Sequence, residues 1–431
     1  NAFVLLDRDG ALETARASEQ RWRDGSPLSR WDGVPTPVKD ILLTKGWPTL
    51  RGSTLIDEAG EWSEDTPSVA RVREAGCVLI GKTTTPEFAW KGVTDSIRHG
   101  ATGNPWGADL TAGGSSGGSA TAVGLGMGTW SIGTDGGGSV RIPASFTGTV
   151  ALKPTYGLVP HYPASPFGTL AHAGPMTRSV TDAAAMLDVL VGFDARDWSA
   201  MPTPTTSFLD GLEDGVSGLR VGFSADLGYV RNDPEVERLV RDAVSVLADA
   251  GARVEEVDPG FTDPVDAFHV LWFTGAAKVL EHYGDDALAR IDPKLRWCVE
   301  QGRSVSASQY LDAVAVRMAL GQQMGRFHER YDVLLTPTMP IPAFEVGRPS
   351  PQGWPSDLWT SWTPYTYPFN MTQQPALSVP CGLTSDARPV GLQVVGRRHA
   401  DALVLRVGRA YEQRSDWSSH VPTLIRAAEG A

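Results

Sequence analysis

Apolar residues recur at helical spacing from Val236 through Leu239, Val240, Ala243 and Val244 to Leu247, directly behind Asp233-Pro-Glu. The spacing predicts a capped amphipathic helix with one buried face. Residues 219–223 before it and 253–257 after it have strand character, so the three form a strand–helix–strand unit that contributes parallel strands to a sheet. Nearer the start, Thr66 reads as a cap and Pro67 as the first helical residue, with Val69, Val72 and Ala75 facing inward and 77–80 following as a short buried strand. Residues 13–23 read as a surface helix. Residues 33–44 are extended, because Pro35 and Pro37 exclude a helix, and Lys39 therefore sits on a strand or its edge. Residues 262–330 are mostly helical, with Trp272, Phe273, Trp297 and Tyr310 scattered through them. Strand character returns at 333–335, 377–379 and 391–396, and 400–413 is a final helix. The proline- and tryptophan-rich stretch 337–368 reads as a rigid surface cover or as the wall of a substrate pocket. No internal repeat stands out.

With 431 residues, 41% of them apolar, the chain can build one large domain or two modest ones, and a disordered or fibrous class is excluded. A net charge of -12 without clustered lysine and arginine argues against nucleic acid and anionic membranes as partners, leaving small neutral or weakly polar molecules. The charge-free stretch 110–134 is dominated by glycine, serine and threonine, which is not the composition of a membrane span. Cys77, Cys298 and Cys381 are too scattered for a disulfide framework and lack zinc-binding spacing, so a reducing, cytoplasmic setting is expected. No signal peptide opens the chain, but Asn1-Ala-Phe-Val-Leu-Leu reads like the middle of something, and a leader or further helices ahead of it stay open.

The chemistry concentrates in two glycine nests, Ala112-Gly-Gly-Ser-Ser-Gly-Gly-Ser-Ala120 and Gly133-Thr-Asp-Gly-Gly-Gly-Ser-Val-Arg141. A flexible linker is the usual meaning of such runs. Here the intervening Ala120-Thr-Ala-Val-Gly-Leu-Gly-Met-Gly-Thr-Trp130 is small and apolar, and Asp135 and Arg141 bracket the second nest with opposite charges. Ser115 and Ser139 can meet if residues 117–128 fold into a compact element that returns them to one place. Gly76 to Thr83 matches a nucleotide-binding loop by letter, yet residues 77–80 form an apolar strand where a phosphate loop needs a turn. A Ser-His-Asp triad has no local support: Gly-x-Ser-x-Gly is absent around Ser139, and His99 and His172 read as surface or structural residues. The other base available to a serine is a lysine, and Lys39, with an uncharged stretch before it and an apolar run after it, is the candidate, although on these residues alone a solvated strand lysine is the commoner reading.

Together, Pro37-Val-Lys-Asp40, Gly81-Lys-Thr-Thr-Thr-Pro-Glu-Phe88, Gly103-Asn-Pro-Trp106, Gly113 to Ala120, Gly133 to Arg141 and Leu152-Lys-Pro-Thr155 resemble, in order, the blocks of the amidase signature family of serine hydrolases. The resemblance resumes at Gly174-Pro-Met-Thr-Arg178, at Pro368-Phe-Asn-Met-Thr372 and at Pro375-Ala-Leu-Ser-Val-Pro380, so it covers nearly the whole chain. It implies one α/β domain over residues 1–431, with a large mixed β-sheet flanked by helices on both sides and 262–330 as a lid-like substrate region. Relatives carry one or two helices ahead of the point where this chain begins.

The resemblance implies a Ser-cisSer-Lys triad with Ser139 as nucleophile, Ser115 as the bridging serine in a cis peptide and Lys39 as base. A lysine near its ordinary pKa of 10.4 needs about 4.6 kcal/mol to be neutral at pH 7, so its site must lower that value. Gly136, Gly137, Gly138 and Ser139 would supply backbone N–H groups to the oxyanion, and Gly113 and Gly114 would let substrate approach the main chain. Asp135 and Arg141 are assigned to holding the nest in shape. Trp90, Trp359, Trp362, Tyr365 and Phe369 are candidate pocket residues. No metal or organic cofactor is required, the partner is a small amide or carbamate, and the protein is expected to be a monomer or homodimer. Two features depart from the family pattern: Gln373 stands where relatives usually have glycine, which puts a loop expected near the pocket in doubt, and the stretches 162–172 and 354–362 match no subfamily. The implied reaction is hydrolysis of the C–N bond of an aryl or aliphatic amide, with carbamates and some esters within reach. The rival readings are the glutaminase subunit of a tRNA-dependent amidotransferase, against which Ile142 stands in place of glutamine, and an inactive binding protein of the same fold, against which the intact Lys39, Ser115 and Ser139 speak.

Overall fold

In the computed structural model, which describes residues 1–429, eleven strands form one mixed sheet. Their order across the sheet is Phe3–Leu6, Val78–Thr83, Pro35–Lys39, Ser131–Asp135, His172–Thr177, Val150–Lys153, Ala376–Leu383, Pro389–Gly396, Val333–Pro337, Arg220–Phe223 and Arg253–Glu256. Helices cover both faces, and strand alternation shows why. Val333 and Leu335 join one apolar cluster and Leu334 the other, and Val394 and Val395 divide in the same way. The first cluster takes in the helices Pro67–Glu74, Val180–Leu190, Pro234–Asp249 and Asp401–Glu412; the second takes in Arg141–Thr147, Val265–Val279, Pro293–Arg303 and Ala307–Arg330.

The elements expected from periodicity are present. The six residues of the predicted apolar face of the 234–249 helix are all buried, its N-cap Asp233 accepts from the Glu235 amide, and its flanking strands pair in parallel. Gly76 to Thr83 is no phosphate loop: Gly81, Lys82 and Thr83 continue the Val78–Thr83 strand, where the Lys82 ammonium donates to Leu42 O at 2.7 Å and Thr49 Oγ1 at 2.8 Å. Among the described residues no helix is long and apolar enough to cross a membrane.

The sheet positions the two nests. Pro35–Lys39 is an interior strand, and its parallel pairing of Val38 with Ile132 sets Lys39 beside Thr134 at neighbouring strand ends. Residues 117–124 form a helix buried throughout, whose small side chains permit close backbone packing, and this helix returns the chain so that the Ser116 amide donates to Ser139 O at 3.1 Å. The two nests therefore touch.

Candidate active site

Lys39 ends its strand completely buried. Its ammonium nitrogen donates to Ser115 Oγ at 2.7 Å, Ser116 Oγ at 2.8 Å and Thr134 Oγ1 at 2.9 Å. Burial pulls its pKa well below the ordinary lysine value, with the charge of Asp135 opposing that pull only in part. Hydroxyls can exchange donor and acceptor roles with an amine as its protonation changes, so these contacts suit the neutral and the charged form alike. Ser116 and Thr134 carry no sequence signal as partners of Lys39: the family resemblance gives a role to Ser115 and none to Ser116 or Thr134.

The Gly114–Ser115 peptide is cis. Gly113 and Gly114, expected to let substrate approach the main chain, are not among the residues lining the cavity that holds Ser139, and protein packs where their side chains would stand. A Cβ on Gly114 would lie 2.6 Å from the Val93 carbonyl carbon, and one on Gly113 would lie 3.1 Å from Pro143 Cα and Phe146 Cδ2. The missing side chains let Val93, Pro143 and Phe146 pack closely on the nest.

Asp135 closes the strand Ser131–Asp135 and organises the turn that follows. Its carboxylate accepts from the Gly138 amide at 2.7 Å and the Val140 amide at 3.2 Å, and it takes two bonds at 3.0 Å from Arg141. Burial pushes this carboxyl upward, but the Arg141 guanidinium and the Asn370 amide outweigh it and hold Asp135 below the usual carboxylate range. Arg141 spends its remaining donors on Thr366 O, Gln393 Oε1 and Asn370 Oδ1. The pair is a fully satisfied buried bridge that fixes the nest, as the bracketing charges implied.

One oxyanion assignment is corrected by this geometry. The Gly138 N–H is committed to Asp135 and cannot serve an oxyanion. Gly138 is instead required by its left-handed φ of 130° and by Thr366, whose Oγ1 would lie 2.4 Å from a Cβ. The N–H groups of Gly136, Gly137 and Ser139 form no hydrogen bond with any described residue.

Ser115, Thr134, Gly136 and Ser139 line one cavity of about 180 Å³. The Ser139 hydroxyl makes no hydrogen bond among the described residues. The opposite walls come from Ile41 and Leu42, from Phe88 and Ala89, from residues 161–167, and from Trp272 and Val279 of the Val265–Val279 helix. Phe167 stacks on Trp272 with centroids 4.1 Å apart. The region 262–330 thus contributes to the wall.

None of the five aromatic pocket candidates lines this cavity, and that expectation is corrected. Trp362, Tyr365 and Phe369 are wholly buried in the core. Trp90 and Trp359 border a different depression, beside Lys91 and Asp292. The physical reason is the nest itself, since glycines leave volume behind them that large rings must fill. Trp359 and Phe268 occupy the space where a Gly137 Cβ would stand, and Trp362 packs the same way on Gly92. The lining segment 161–167 carries no periodic signal that could have revealed it. Gln373 adopts the left-handed φ of 61°, the conformation for which glycine is usual. It borders a groove with Arg317 and Arg398 rather than the Ser139 cavity.

The sequence model of the Amidase family matches residues 1–405. Among curated proteins, a glutamyl-tRNA(Gln) amidotransferase chain of Myxococcus xanthus, the first of that enzyme's lettered subunits, is 37% identical over 96% of this chain and 90% of its own length. An acylamidase of Rhodococcus erythropolis is 34% identical over 98% of this chain and 90% of its own. Among solved structures, a bacterial aryl acylamidase of the amidase signature family superposes with a TM-score of 0.90 at 31% identity, covering 97% of this chain and 89% of that one. A 6-aminohexanoate cyclic dimer hydrolase superposes at 0.89 with 28% identity, covering 99% and 92%.

Proposed function

Since the chain belongs to the amidase signature family, we propose that it hydrolyses the C–N bond of a small aryl or aliphatic amide through an acyl-enzyme on Ser139, with carbamates and esters open to the same chemistry. The observation that carries this reading is a buried lysine, pushed toward its neutral form, in hydrogen-bond contact with Ser115 at the edge of the cavity that holds Ser139. Neutral Lys39 accepts the proton of Ser115 while Ser115 accepts that of Ser139, and the Ser139 oxygen bonds to the carbonyl carbon. The N–H groups of Gly136, Gly137 and Ser139 receive the tetrahedral oxyanion, each donor being worth roughly 3 to 4 kcal/mol. The proton returns through Ser115 to the leaving nitrogen as the C–N bond breaks, and water then releases the acyl group by the same relay.

The aromatic wall of Phe88, Phe167 and Trp272 supports an aryl or compact apolar substrate, as do the names of the acylamidase relatives. In this reading residues 262–330 act as a lid over that wall. Three buried, unpaired cysteines support a reducing compartment such as the cytoplasm.

A second reading, the glutaminase component of an amidotransferase, is favoured by the 37% identity to the Myxococcus xanthus protein. Against it, free glutamine carries an α-ammonium that needs an acceptor, and no carboxylate is among the described residues lining the cavity. Comparing kcat/KM for anilides, aliphatic amides, carbamates, esters and glutamine decides between the two. Turnover of anilides by the isolated chain supports the amidase; turnover of glutamine alone, and only with co-purifying partner chains, overturns it.

A further inference from the structure

Among the described residues that line this cavity, Arg51 is the one formally charged side chain; Lys39 lies buried behind Ser115. Arg51 lines the cavity together with apolar Ile41, Leu42, Phe88, Phe167 and Trp272. Its guanidinium forms no hydrogen bond and no ion pair with any described residue, although burial depresses its pKa. Tyr283 and then Asp40 contribute to its field without bonding to it: Asp40 Oδ1 accepts from the Leu50 amide at 3.2 Å and lies 3.4 Å from the Lys82 ammonium, while Asp40 Oδ2 has no partner among the described residues. His161, the other titratable group on the wall besides Tyr162, is held neutral by burial.

The backbone adds an independent observation. Arg51 has a φ of 53°, in the left-handed region, while its carbonyl accepts from the Phe88 amide at 2.7 Å. A long side chain held in that conformation at the mouth of a site points to a role for the side chain. A guanidinium offers a planar fork of donors that matches a carboxylate, and in a half-buried apolar setting such a pair is strong and selective.

We propose that Arg51 selects amides that carry a carboxylate, binding that group through its guanidinium inside the cavity that holds Ser139. The proposal rests on the amide hydrolase reading and narrows its substrate class to anionic amides, such as the mono-amide of a dicarboxylic acid or the acyl derivative of an amino-substituted acid. It also accounts for a cavity with a cation and no carboxylate: such a site receives the acid of a substrate without accommodating an α-ammonium beside it.

The test is equilibrium binding to the Ser139→Ala protein by calorimetry, which needs no turnover. One pair of probes places the charge on the acyl side, N-glutaryl-4-nitroaniline against N-hexanoyl-4-nitroaniline; the other places it on the amine side, 4-acetamidobenzoate against 4-methylacetanilide. In at least one pair, the affinity ratio of anionic to neutral probe is expected to fall at least tenfold, on the order of a lost charge-assisted pair, when Arg51→Met is added. Arg51→Lys restores part of it, and Arg51→Gln provides a second neutral variant should the methionine protein not fold. Ratios unchanged by loss of Arg51 in both pairs, or no binding of either anionic probe, overturn the proposal. Failure of the hydrolase reading is distinguishable, since it appears as absent turnover of neutral and anionic anilides alike by the Ser139 protein while the binding ratio still responds to Arg51.

Discussion

The Lys39 ammonium nitrogen and Ser115 Oγ lie 2.7 Å apart, Lys39 wholly buried and Ser115 1% exposed. A serine hydroxyl offers a lysine no charge, so burial of the pair favours the neutral amine. Replacing Lys39 by alanine is expected to lower kcat/KM by about 10²- to 10⁴-fold, the range for loss of a general base. Steady-state kinetics on an anilide measures it, and a loss under threefold would remove Lys39 from the chemistry.

The same burial sets the sign of the pH dependence. Its folded-state pKa lies well below 10.5, and the proton must be off for the relay to run. Activity should therefore rise with pH through that depressed value and level off while an ordinary lysine is still charged, with a limiting slope of one on the acid side. Lys39→Ala should lack that limb; a limb that stays in place in the variant would assign it to another group.

Asp135 and Arg141 form a bridge with both side chains sealed from solvent. Asp135→Ala leaves a buried guanidinium without its carboxylate and frees the amides of Gly138 and Val140, so a loss of about 3 to 5 kcal/mol in stability is expected. Chemical denaturation measures it, with activity lost in proportion to the disordered nest.

Phe167→Ala removes the ring that stacks on Trp272 at the cavity wall. Aryl amides should lose roughly tenfold in kcat/KM, about the worth of one buried aromatic contact, while acetamide changes little. Equal losses on both substrates would show that the ring does not contact the aryl group.

Gln373→Gly should stabilise the protein by about 1 kcal/mol or less, because a left-handed backbone at φ 61° costs a non-glycine residue and spares glycine. The thermal midpoint should rise with kcat unchanged.

Much of this arrangement is legible in the chain. The Pro234–Asp249 helix shows its buried face through its periodicity, and Lys39, Ser115 and Ser139 sit in motif blocks, the separation of the two serines being spanned by the Gly117–Gly124 helix. The pocket was not legible. Its wall draws on residues far apart in sequence, Arg51, Phe88, 161–167 and Trp272, which come together only in the folded chain. Trp359 and Trp362 misled for a related reason: aromatic residues in a proline-rich stretch resemble a pocket wall, yet here they fill the space behind glycines. Gly138 misled because an N–H adjacent to the nucleophile can be claimed by a carboxylate three residues back.

Everything in the proposed chemistry turns on Ser139 as the nucleophile. Intact-mass and peptide mass spectrometry after treatment with a fluorophosphonate examines that assignment without any knowledge of the substrate. A single adduct on Ser139 is expected in the wild type and none in Ser139→Ala, with strongly slowed labelling in Lys39→Ala. An adduct on another residue, labelling that persists in Ser139→Ala, or no adduct on the folded wild type would rule the assignment out.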